Sequence, residues 1–133
     1  MTDTVWLTID WRTADNDIPE AQQEAFTEIL FREMNGFDEV EHVERVADPA
    51  VPDRSMGIAW LWSILTAEVS VTNLKRLGQE VQERLPGKPI NFTVKVGDRE
   101  VAVENMRPAD LDATLDKLVA AAKALAEEAQ EKN

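Results

Sequence analysis

The chain has no cysteine, so neither a disulfide nor a thiolate metal site is available to it. That pattern suits a reducing compartment, and a cytoplasmic location is expected. Histidine occurs once, as His42. A nucleophilic triad would have to use it as the base, and a zinc site would need several carboxylates in place of further imidazoles. Within "VEHVER" it has glutamates on either side and reads as a half-exposed strand histidine. Positive charge is also scarce: 14 Lys and Arg against 26 Asp and Glu give a formal net charge of −12. The average field of such a chain repels nucleic acid and anionic lipid. The most cationic stretch, "LKRLGQEVQERL", interleaves its cations with glutamates, so no nucleic-acid partner is expected.

Glycine is rare, and Gly36, Gly57, Gly78, Gly87 and Gly97 stand apart, which leaves no loop able to cradle a phosphate. No apolar run approaches the ~20 residues of a membrane helix, and no membrane segment is expected. The opening "MTDTVWLTIDWR" lacks the basic region and long apolar run of a secretory signal. "DNDIPE" offers Asp15, Asp17 and Glu20, but a calcium-binding EF-hand also needs a glycine at its sixth position and a distal bidentate glutamate. These acids read as turn and cap residues. Catalytic, cofactor-binding and metal-binding residues are therefore assigned to none; the one enzymatic arrangement left open in so acidic a chain is a pair of converging carboxylates.

What is present is the composition of a globular domain, 44% hydrophobic and 30% charged over 133 residues, and one domain over 1–133 is expected. Val5, Leu7, Ile9 and Trp11 alternate with Trp6, Thr8 and Asp10, the period of a strand with one buried face. Trp6 falls on the second face, where something must cover it. Asp17 as cap, Pro19 in the first turn and the Asn35-Gly36 stop delimit a helix over about 18–34. It should bury Ala25, Phe26, Ile29, Leu30 and Met34. "VEHVERVA" predicts a second strand over 40–47, followed by the proline-rich "DPAVPDR". A helical region over 55–85 is predicted next, broken near 69–72 where "VSVT" is poor helix material. Its second part carries Leu74, Leu77, Val81 and Leu85 on one stripe. Residues 90–96 and 100–104 predict a hairpin about "GDR". A final helix begins at Pro108 and carries Leu111, Leu115, Leu118, Val119, Ala122 and Leu125, with a polar tail fraying from about 127. The expected architecture is α+β, in the order β-α-β-α-α-β-β-α, with a four-stranded mixed sheet packed by helices.

The segment "SMGIAWLWSIL" places eleven residues without a charge inside this acidic chain. Read as a helix, Ile58, Leu61, Trp62 and Leu65 share one face, while Met56, Trp60 and Ile64 share another. A helix apolar on both sides is covered on both sides. The second cover comes either from this chain or from a partner docking on Met56, Trp60 and Ile64.

The layout resembles the effector-associated constant component proteins of bacterial conflict systems. The resemblance rests on the first strand and helix, the second strand running into "DPAVPDR", Met56-Gly57 opening the apolar region, and "VKVGDREVAVENMRPADLDATLDKL". It covers approximately residues 3–126, and "WLWSILTAEVSVTN" departs from it in carrying more aromatic mass. The resemblance implies a non-catalytic adaptor working beside effectors such as peptidases, TIR or caspase-like domains, or their NTP-dependent regulators. The function expected is thus a protein-interaction module that docks on an effector or regulator or self-associates. The alternative is a small-molecule sensor or enzyme with a pocket between sheet and helices, lined by Trp6 or Trp11.

Overall fold

A computed structural model describes residues 4–14, 17–47, 60–85, 89–105 and 108–131. The elements are β1 (Thr4–Asp10), α1 (Glu20–Asn35), β2 (Val40–Ala47), β3 (Trp60–Ser70), α2 (Leu74–Arg84), β4 (Ile90–Val96), β5 (Arg99–Asn105) and α3 (Leu111–Glu131). One five-stranded sheet runs in the order β2-β3-β1-β4-β5, and every pairing is antiparallel. The fold is α+β as the sequence predicts, but the sheet has five strands rather than four and is not mixed. From β1 to β4 the connectivity is the split βαβ arrangement. β5 and α3 extend it on the β4 side.

The fifth strand is the segment that was expected to be a helix. Leu65, Ala67 and Val69 are buried and alternate with part-exposed Thr66, Glu68 and Ser70. Partners on both sides, β1 and β2, take its backbone hydrogen bonds, and they outweigh a helical spacing that one chain segment presents alone. The "WLWSI" end does not alternate because it is bulged. From Arg45↔Leu65 to Ala47↔Trp60 the ladder loses register, and Ser63 adopts φ 61°. Bulges leave extra residues on one strand and twist it. Here α1 secures the distortion: the Ser63 amide donates to Thr27 Oγ1 at 2.8 Å, and Thr27 in turn donates to the Gln23 carbonyl at 2.7 Å. The Trp62 indole donates to Glu20 at 3.3 Å, with the Arg45 guanidinium 4.8 Å from its ring centroid.

α1, α2 and α3 lie on one face of the sheet. Val5, Leu7, Ile9, Trp11, Leu65, Phe92 and Val94 point into that layer, where they meet Leu30, Leu74, Leu77, Val81, Leu115 and Leu118. Each of these is at most 1% exposed. The stripe on α1 is narrower than expected: Ala25 is exposed and Ile29 is 52% exposed, and Thr27 takes the buried place between Phe26 and Leu30. Pro19 rather than Asp17 occupies the cap position, without a side-chain cap bond, and Gly36 ends α1 in a right-handed conformation (φ −93°) rather than a left-handed one. The β4–β5 turn does use a left-handed glycine, Gly97 at φ 61°, as a two-residue hairpin loop requires. α3 runs over Leu111–Glu131. Among the described residues no helix is long and apolar enough to cross a membrane.

Candidate functional site

Among the described residues the second face of the sheet carries no helix, and the registers fix what it displays. One row crosses β2, β3, β1, β4 and β5 as Glu44, Thr66, Thr8, Thr93 and Ala102. The adjacent row reads His42, Glu68, Trp6, Lys95 and Glu100. Thr8 and Thr66 make a low floor, with Thr8 Oγ1 donating to Thr66 Oγ1 at 3.3 Å. Taller side chains stand around it. The result is a shallow depression of about 540 Å³ lined by Trp6, Thr8, Glu44, Val46, Thr66, Lys95 and Gly97.

Trp6 is the largest side chain described on this face and is only partly covered. Its support is His42, edge-on with ring centroids 6.1 Å apart at 90°. His42 in turn lies 3.2 Å from Glu44 and is more than half exposed, as its place in "VEHVER" implies. The depression thus combines an aromatic wall, hydroxyl donors and acceptors, and one charge of each sign (Glu44 and Lys95). Alternation in β1 places Trp6 and Thr8 here from sequence alone. Thr66 was missed because its strand was read as a helix, although Leu65–Ser70 itself alternates.

The other expected sites fall elsewhere. Met56 lies outside the described residues. Trp60 opens β3 opposite Ala47, and Ile64 pairs with Asp10 on the same strand at 5% exposure. The helix that was to present these residues together is replaced by β3. Trp11 is fully buried in the helix-side core and packs edge-on against Phe26, with centroids 6.2 Å apart. Trp6 lines the depression on the outer face.

A pair of carboxylates does converge, on the helix side. Glu39, 5% exposed, accepts from Arg76 Nε at 2.8 Å. Beside it Glu80 has Oε2 buried without a partner among the described residues. Burial first, then a hydrogen bond with Glu39 and repulsion by it, raise the Glu80 pKa above its ordinary value, while Arg76 and Arg84 pull it down. Arg84 is held by Glu33 at 2.6 Å and lies over Phe37 at 4.5 Å. These groups tie α1, α2 and the start of β2 together and do not face the depression. Among the described residues no group of three or more His, Asp or Glu is placed to hold a metal ion. Comparison of the chain with protein-family models, curated proteins and solved structures finds no match.

Proposed function

We propose that this chain is a non-catalytic protein-interaction module whose contact surface is the helix-free face of the sheet, centred on Trp6. The observation that carries the reading is an aromatic side chain left partly uncovered on a face with no layer over it among the described residues. Aromatic anchors of this kind dominate protein interfaces. A tryptophan buries about 150–250 Å² when enclosed, so covering the remainder of Trp6 favours association. The resemblance to effector-associated constant components points the same way, toward an effector, its regulator or a second copy as the partner.

The test is recovery of partners from native lysate by the tagged chain and by its Thr66→Arg variant, which fills the floor of the depression. Thr66 is part-exposed and makes one long hydroxyl contact, so the variant is expected to fold. A protein recovered in stoichiometric amount by the wild type and lost with Thr66→Arg supports the reading. Equal recovery by both folded baits rejects it. The depression itself favours a second reading, a small-molecule sensor, through its hydroxyl floor and opposed Glu44 and Lys95 charges. A ligand co-purifying with the wild type and displaced by Thr66→Arg, with no protein partner, would select that reading instead.

A further inference from the structure

β5 ends the sheet, and no strand lies beyond it among the described residues. The hairpin register decides what its free edge offers. The two-residue loop makes Val96 and Arg99 a hydrogen-bonded pair. By alternation Val101 and Val103 also direct their N–H and C=O groups to β4, whereas Glu100, Ala102 and Glu104 direct theirs outward. The opposite edge is different: β2 changes register between Val40 and His42 and again between Arg45 and Ala47, a form that discourages strand addition. β5 runs seven residues with no shift.

The side chains narrow the choice of occupant. Glu100, Ala102 and Glu104 are exposed on the outer face, and Val101 and Val103 are half-buried on the helix side. Antiparallel pairing of two copies through all three outward residues would set Glu100 of each against Glu104 of the other. Like charges directly opposite destabilise a pair, so a second copy is disfavoured. Within the sheet Lys95 already faces Glu100, but Glu104 faces only Asn91.

We propose that β5 is a docking edge for an extended segment of another protein, with basic residues opposite Glu100 and Glu104 and apolar residues opposite Val101 and Val103. Main-chain bonds would supply the affinity and the alternating side chains the selectivity. The proposal rests on the reading of the chain as an interaction module but uses the backbone edge of β5, two strands away from Trp6.

The probes are two capped peptides, SKVTVKS and SEVTVES, titrated against the full chain, with hydrogen exchange read on the complex. The basic peptide is expected to bind about tenfold more tightly, since two cross-strand pairs change from repulsion to attraction. It should protect the amides of Glu100, Ala102 and Glu104. Ala102→Pro removes an outward N–H at an edge, where proline is tolerated, and is expected to weaken binding at least about tenfold. The double variant Glu100→Lys, Glu104→Lys leaves the backbone alone and should reverse the preference between the peptides. Failure of the basic peptide to bind, equal binding of the two, protection elsewhere than β5, or a wild-type dimer that Ala102→Pro dissolves would each overturn the proposal. Thr66→Arg should leave peptide binding unchanged, so failure of the Trp6 reading and failure of this one are told apart.

Discussion

Gly78 brings α2 against α3, and replacing it by alanine sets two known effects against each other. In an open helix the change gains about 1 kcal/mol, because glycine is the poorer helix former. Here the added Cβ falls well inside van der Waals contact with Leu115 Cδ2 and 3.2 Å from Cδ1. Leu115 is 0% exposed, so its side chain has to turn among close-packed core neighbours. Overpacking of this kind costs about 1–3 kcal/mol. The steric cost should win, and Gly78→Ala is expected to destabilise by about 1 kcal/mol net. Leu115→Ala alone should cost about 2–5 kcal/mol. In that background the obstruction is gone, and Gly78→Ala should stabilise by about 1 kcal/mol. The coupling between the two sites is then about 2 kcal/mol, measurable by urea unfolding of the four chains with tryptophan fluorescence as the signal. A Gly78→Ala chain more stable than the wild type, or coupling below about 0.5 kcal/mol, would refute the close α2–α3 contact.

Thr27→Val keeps shape but removes the acceptor of the buried Ser63 amide. It is expected to cost about 1–3 kcal/mol in thermal or urea unfolding, and a loss below the lower figure would mean that the bulge does not depend on α1. Glu80 binds its proton more tightly in the folded chain than in the unfolded one. Its contribution is therefore most favourable below its ordinary pKa of 4.5 and is lost as pH rises through the raised folded value. Glu80→Gln mimics the protonated form, so its stability advantage over wild type should grow from pH 4 to pH 7. An advantage independent of pH would contradict the shift.

Much of the fold was legible because each burial pattern answered to one local period. The alternation of Val5–Trp11, the α2 stripe of Leu74, Leu77, Val81 and Leu85, and the Ile90–Val94 run all face the core as their spacing implies. The errors share a cause. In "WLWSILTAEVS" a helical spacing and an alternating one coexist, and the choice between them lies in the backbone partners β1 and β2, which are remote in sequence. The bulge at Ser63 hid the alternation further, by packing consecutive apolar residues without any period. Ile29 was misplaced because Thr27, bonded to the Ser63 amide, claims a core position that hydropathy assigns to its neighbours. Of the candidate face, Trp6 was visible at once. Its neighbours Glu44, Thr66 and Lys95 became neighbours only through the strand order.

That order has a consequence for synthesis on the ribosome. β1, near the start of the chain, occupies the centre of the sheet, and its partners are Ile64–Ser70 on one side and Asn91–Lys95 on the other. Non-local pairings of this kind form late, because long loops must close first. β1, apolar on one face and bearing Trp6 on the other, therefore waits unpaired until Ile64–Ser70 has emerged. During that interval it is open to chaperones, and equally to strand pairing with a neighbouring nascent copy.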